Sequence, residues 1–447
     1  MSYQPAVVAE VLAWGQRVGA VALDPSSGWY AFAFAPEWIR GGIELAPVHM
    51  PLRPEPYQFP GLSRTTYYGL PPLLADALPD AFGSALVNAW MAEHGVRPDN
   101  ITPLDRLAYA ADRAMGALEF RPPARETGEE ATTAVQLADL VLAARLTVSG
   151  EFASGEFASG EFASDETARR ALQELIQVGT SAGGARAKAV VAFNPVTYQV
   201  RSAYQPPTPG FEQWLIKLDG VSATGTDGHG EGLGESAPYC RIEYAYSLMA
   251  HAAGIEMTPC LLLAEGPRRH FMTRRFDRGP GGERHHVISL CALAHLDYNM
   301  TGAHSYDQYL QSVRALGLGP EDLQQGYRRM VFNVMAINRD DHTKNFAFLR
   351  RQGGMWELTP AFDVTHAFGS NSAWARRHLM AVNGKFDRIG IADLHAVGER
   401  NDVPGYRKVV REVRDAVDNW PNWAVAADLG DDIIERLEAD MERFRPL

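Results

Sequence analysis

Asn338-Arg339-Asp340-Asp341-His342-Thr343-Lys344-Asn345 is the stretch that decides how this chain reads. It follows a segment whose Tyr327, Met330, Val331 and Val334 fall on one helical face, so a buried helix leads into a polar loop. Within the loop, Asp340 and Asn345 stand in Asp-x4-Asn spacing. Such a loop turns once and aims both side chains at one cleft. Phosphoryl transfer needs a carboxylate beside the attacking hydroxyl and oxygen ligands for a magnesium ion on the phosphates. Asp340 suits the first task and Asn345 the second. The apolar run Phe346 to Leu349 reads as a strand that fixes the loop. Asp and Asn also favour plain surface turns, so the loop gains weight only from company elsewhere.

Three segments supply that company. Trp356-Glu357-Leu358-Thr359-Pro360-Ala361-Phe362-Asp363 reads as a strand that delivers Asp363 to its end, where a second magnesium ligand belongs, although the Asp-Phe-Gly triplet is absent. A strand-terminal Asp in an ordinary turn is the plain alternative. In Trp214-Leu215-Ile216-Lys217-Leu218, strand alternation puts the apolar side chains Trp214, Ile216 and Leu218 on one face and Lys217 on the other. A lysine inside an apolar strand is costly unless paired, and a phosphate with Glu243 of the next helix would pair it; snorkelling at a strand edge is the alternative. Gly179 to Lys188 is rich in small residues that let backbone N–H groups approach phosphates, with Arg186 and Lys188 adding charge. It matches neither Walker A nor Gly-x-Gly-x-x-Gly, and alone reads as a Gly-rich turn. Glycine loop, strand Lys, helix Glu, catalytic loop and metal Asp nevertheless run in the order of a protein kinase.

The rest of the chain fits that outline. Its 447 residues exceed one ordinary core, and 46% apolar with 21% charged residues is a globular profile. An α+β, two-lobed protein-kinase-like fold with an additional small N-terminal α+β subdomain is expected. Residues 1–124 form the subdomain, with strands near 7–14, 18–23 and 29–34 and a helix from Ala81 to His94. Residues 125–178 form a connecting region, in which Ser-Gly-Glu-Phe-Ala occurs three times between 149 and 163 and reads as a linker, before a helix capped by Asp165. Residues 179–277 form a β-rich nucleotide-binding lobe with one helix opened by Pro238 and stopped at Gly254. Residues 278–447 form a helical catalytic lobe. No secretory leader or membrane-length apolar run is read, and Cys240, Cys260 and Cys291 suit a reducing cytoplasm. A net charge of -12 excludes a general affinity for nucleic acid. His285, His286, Cys291, His295 and His304 lack a recognised zinc spacing.

Ser181 to Lys188, Ile216-Lys217-Leu218, Arg275-Phe276-Asp277-Arg278, Asn338 to Phe346 and Pro360 to Asp363 together resemble the HipA-type toxin kinases of toxin–antitoxin systems, and Leu78-Pro79-Asp80 is similar to that family's N-terminal subdomain. The likeness spans residues 5 to 415 apart from the repeat insert, which has no place in the family pattern. It implies an ATP- and Mg2+-dependent serine/threonine protein kinase. It further implies a phosphate loop of Gly183, Gly184, Ala185, Arg186, Ala187 and Lys188, phosphate contact by Lys217, and an adenine hinge of Arg274, Arg275 and Phe276. Asp340 would be the proton acceptor. His342, Thr343, Lys344 and Asn345, with Phe362 and Asp363, would complete the nucleotide and metal site. Ser181 matches the autophosphorylated serine, with Thr180 as the adjacent rival, and Arg274 departs from relatives that carry an acidic residue. The resemblance also implies a protein substrate such as an aminoacyl-tRNA synthetase, a small helix-turn-helix antitoxin, and DNA contact only through the antitoxin complex. A non-catalytic antitoxin-binding co-repressor subunit and an aminoglycoside-type small-molecule kinase are the alternatives. The intact Lys217, Asp340, Asn345 and Asp363 set argues against the first, and the Leu-Pro-Asp unit against the second.

Overall fold

The computed structural model describes residues 5–122, 137–149, 187–203, 208–221, 238–368 and 374–447. The first sheet is antiparallel in the order β3-β2-β1-β4, from Val8–Ala13 (β1), Gln16–Asp24 (β2), Trp29–Phe34 (β3) and Leu118–Arg121 (β4). Alternation in β3 buries Tyr30, Phe32 and Phe34 on one face, as a period of two requires. Asp80 opens the following helix, Ala81–Glu93, by accepting the Gly83 N–H at 2.7 Å.

The second sheet has five antiparallel strands in the order β6-β5-β7-β9-β8: Lys188–Phe193 (β5), Val200–Ser202 (β6), Glu212–Lys217 (β7), Cys260–Glu265 (β8) and Arg268–Arg274 (β9). One face carries Ala189, Val191, Trp214, Ile216 and Met272 into a core shared with Leu86 and Trp90 of the Ala81–Glu93 helix and Leu140 and Ala144 of the Leu137–Ser149 helix. The N-terminal region therefore packs directly on this sheet rather than closing a core of its own. Helix Tyr239–Ala252 contacts β8 and β9 and contributes Ile242, Tyr246 and Met249 to the larger core. It stops at Gly254, whose φ of 76° suits a residue without a side chain.

Beyond Asp277 helices are the main regular elements among the described residues, and two small sheets accompany them. His286–Ser289 (β10), Ala347–Arg350 (β12) and Trp356–Leu358 (β13) form one, in the order β10-β12-β13. His304–Ser305 (β11) pairs in parallel with Met380–Ala381 (β14) to form the other. Helix Pro320–Met335 buries Tyr327, Met330, Val331 and Val334 and hands the chain to the Asn338–Asn345 loop, which β12 then anchors. The strand expected to reach Asp363 ends at Leu358, and Asp363 lies five residues further on. No helix among the described residues is long and apolar enough to cross a membrane.

Candidate active site

The site is built around Lys217. Its residue sits at the end of β7 with Ile216 turned into the core, so its own side chain faces the opposite side of the sheet. Nζ lies 2.7 Å from Glu243 Oε1 of helix Tyr239–Ala252 and also contacts Asp363 Oδ1 directly. Burial works against the charge on Lys217, but the Asp363 and Glu243 carboxylates outweigh it and hold the pKa above the ordinary lysine value. Burial likewise opposes the charge on Asp363, and Lys217, then Lys188, hold that carboxyl below the usual range. Both partners are thus charged. Asp363 has a φ of 53°, a left-handed conformation that Asp tolerates better than most residues. The segment leading to it is fixed by the Ala361 N–H, which donates to Glu256 O at 2.7 Å.

Lys188 of β5 is the direct cross-strand partner of Lys217. Two enclosed lysines side by side repel, and each has its own carboxylate. Lys188 Nζ pairs with Asp80 Oδ2, off the direction of a well-formed hydrogen bond, while Asp80 Oδ1 caps its helix. Asp80 was legible in the sequence only as part of a family motif. Its contact with Lys188 was not.

The Asn338–Asn345 loop is held from inside. Asp341 is buried, accepting from Tyr306 Oη at 2.7 Å, from His378 Nδ1 at 2.9 Å and from the Leu379 N–H at 2.7 Å. Thr343 Oγ1 donates to Leu296 O at 2.6 Å, so its hydroxyl is turned into the protein. Asp340 keeps its side chain 29% exposed, enough to meet an incoming group. Asn345 Nδ2 donates to Asp340 O at 2.7 Å, and among the described residues its carbonyl oxygen accepts no hydrogen bond. His342 Nε2 stands 3.6 Å from Asp340 Oδ1, and His342 also acts on the charge of Asp363. Lys344 Nζ lies 4.9 Å from the centre of the Tyr298 ring. Trp374 Nε1 donates to Asp340 Oδ1 at 2.8 Å. Nothing in the sequence singles out this tryptophan, which lies in a polar run with no motif around it.

The three expected hinge residues diverge. Arg274 is exposed, with Glu212 Oε1 3.4 Å away. Arg275 turns inward: Nε donates to Asp277 Oδ1 at 2.9 Å and Nη2 to Oδ2 at 2.6 Å. Arg278 Nη1 adds a bond to Asp277 Oδ2 at 2.7 Å and reaches Gly116 O at 3.0 Å, while the Gly116 N–H donates to the same carboxylate at 2.8 Å. The Arg-Phe-Asp-Arg string therefore ties the end of β9 to the N-terminal region. A Cβ on Gly116 would meet the Val287 backbone nitrogen at 3.0 Å, and its φ is 85°, so glycine is required there. Phe276 faces Phe362 with ring centres 5.7 Å apart.

Asp363, ionised, and Asn345 supply hard oxygen donors. Among the described residues no three His, Cys, Asp or Glu side chains gather as a metal cage. That donor set fits magnesium, which keeps several waters and substrate phosphates in its shell. Ala187 is buried and its carbonyl accepts the Leu218 N–H. Gly183, Gly184, Ala185, Arg186, Ser181, Thr180, the Ser-Gly-Glu-Phe-Ala repeats and the helix expected from Asp165 lie outside the described residues.

Residues 180–420, more than half of the chain, match the HipA-like C-terminal domain, and residues 9–121 match the HipA N-terminal domain. This chain belongs to the HipA family. A solved complex of the Shewanella oneidensis MR-1 toxin–antitoxin proteins HipA and HipB with their operator DNA contains a similar chain. That chain is 15% identical, with a TM-score of 0.63, over 98% of this HipA-family chain and 97% of its neighbour. At that identity the likeness is one of fold. The Helicobacter pylori proinflammatory kinase CtkA matches 59% of this chain over 94% of its own length, at 12% identity and a TM-score of 0.33, too low to indicate a shared fold. No curated protein matches in sequence.

Proposed function

We propose that this HipA-family chain is the toxin of a toxin–antitoxin pair and acts as an ATP- and Mg2+-dependent serine/threonine protein kinase with a two-lobed, kinase-like body. The observation that carries the reading is the clamp on Lys217 by Glu243 and Asp363, two carboxylates from separate elements. A cation held ready between a helix Glu and a metal-binding Asp is the arrangement that positions nucleotide phosphates in kinases. Lys217 would exchange part of its contact with Asp363 for phosphate oxygens. Asn345 and Asp363 would hold magnesium, which neutralises phosphate charge when bound. Asp340 would orient the acceptor hydroxyl and take its proton. Phe276 and Phe362 would flank the adenine, and Ser181 would be the site of autophosphorylation.

The Shewanella neighbour was solved with HipB and operator DNA. That complex supports a small helix-turn-helix antitoxin as partner here, with DNA reached through it. A translation component of the aminoacyl-tRNA synthetase kind is the expected target. Incubating the purified chain with labelled ATP, magnesium and a cell lysate tests the reading. Label on a lysate protein or on the chain itself, lost in Asp340→Asn, is the expected result. Absence of transfer under all conditions would sink it.

A further inference from the structure

We infer that Trp374 is a positioning residue for Asp340, fixing one carboxylate oxygen so that the other meets the acceptor hydroxyl. The inference rests on the kinase reading above and adds a residue to it. Trp374 Nε1 donates to Asp340 Oδ1 at 2.8 Å. An indole can only donate, so it orients the carboxylate without competing for the proton that the base must accept. His342 Nε2 approaches the same oxygen at 3.6 Å. Among the described residues Oδ2 accepts no hydrogen bond. Both neighbours thus gather on Oδ1, and the exposed part of the carboxylate is left with a defined free oxygen.

The indole is itself held. Its ring stands edge-on to Tyr298 at 6.3 Å and to His342 at 5.7 Å, with interplanar angles of 79° and 63°. The chain that follows is bolted to the same loop. Arg339 Nη1 donates to Arg376 O, His378 Nδ1 bonds Asp341 Oδ2 at 2.9 Å, and the Leu379 N–H donates to Asp341 Oδ1 at 2.7 Å. Three consecutive loop residues, Arg339, Asp340 and Asp341, therefore each hold the 374–379 segment. An orienting bond supported in this way is what keeps a base within the narrow geometry that transfer requires.

If Trp374 only packs, its ring matters and its N–H does not. Trp374→Phe keeps an aromatic ring and deletes the donor. On this inference kcat falls about 10- to 100-fold while KM for ATP and the unfolding temperature stay close to wild type, because orientation acts on the transfer step alone. An unchanged kcat overturns the inference, and so does a loss of kcat matched by an equal loss of ATP binding. A second measurement does not depend on activity. In protein carrying 15N-indole tryptophan, the resonance that disappears in Trp374→Phe should shift clearly in Asp340→Ala. If it does not move, the contact is absent and the inference fails. A wild-type protein without any transfer activity would instead count against the kinase reading itself.

Discussion

Lys188 Nζ sits 3.1 Å from Asp80 Oδ2, and the two side chains are 2% and 3% exposed. The pair joins the start of a helix in the N-terminal region to β5, the strand paired with that of Lys217. It is not there for cheap stability. Burial pushes the Asp80 carboxyl up even with Lys188 and the Gly83 N–H beside it, so keeping it charged costs free energy. Asp80→Asn retains a helix cap but removes the carboxylate paired with Lys188, which then sits beside Lys217 with only the Asp363 charge they share. The expected loss is about 3 to 5 kcal/mol in urea unfolding. Adding Lys188→Met should recover most of it. If the double variant is no more stable than Asp80→Asn, the two side chains do not act as a pair.

Asp340 and Asp363 should separate cleanly by function. Asp340→Asn is expected to lower kcat on the order of 1,000-fold while Mg-ATP still binds, because the carboxylate acts on the hydroxyl and not on the phosphates. Asp363→Ala should weaken Mg-ATP binding and free Lys217 from one of its two carboxylates. Calorimetry with Mg-ATP distinguishes the two variants. Unchanged affinity in Asp363→Ala would remove it from the metal site.

Acid should destabilise the fold through His286. This ring is buried, with Nε2 2.8 Å from Leu45 O, and burial pushes its pKa down to about 4. Unfolded, it would titrate near 6.5. The unfolded chain therefore binds the extra proton between those values, so the stability is intact above about pH 6.5 and is lost as pH falls toward 4. The full effect is of order 3 kcal/mol. Urea midpoints at pH 7, 5.5 and 4.5 should fall in wild type and fall less steeply in His286→Gln. Parallel slopes would show that His286 carries none of the effect.

The succession of Lys217, Glu243, the Asp340–Asn345 loop and Asp363 was readable because each depends on local spacing. Strand alternation placed Lys217 opposite Ile216, and a four-residue interval placed Asn345 against the Asp340 backbone. The Lys217–Glu243 pair was reachable by elimination, since a buried strand lysine needs a carboxylate. What could not be read depends on contacts far apart in sequence. Asp80 meets Lys188 because the Ala81–Glu93 helix packs on the five-stranded sheet. Trp374 reaches Asp340 from 34 residues away, through a segment with no periodicity to place it. Arg275 was expected beside adenine on family resemblance, yet a carboxylate only two residues along the chain takes its guanidinium.

That last relationship makes the sharpest separation between positions Arg275 and Phe276. Asp277 is fully buried. Burial alone would raise its pKa, but Arg275 and then Arg278 outweigh it and keep the carboxyl ionised and below the usual range. Arg275→Ala would leave this charge with Arg278 and the Gly116 N–H alone. Removing one partner from a buried, bidentate pair should cost about 3 kcal/mol of stability. The affinity of the folded protein for ATP should remain near wild type, because the buried guanidinium is turned onto Asp277 in this arrangement. Phe276→Ala should do the opposite. Its ring is half-buried against Phe362, so the loss of stability should be small and the loss of ATP affinity several-fold. Thermal unfolding and ATP titration of the two variants form the test. A stable Arg275→Ala protein with tenfold weaker ATP binding would return the guanidinium to the adenine hinge and leave the Asp277 contact without a structural role.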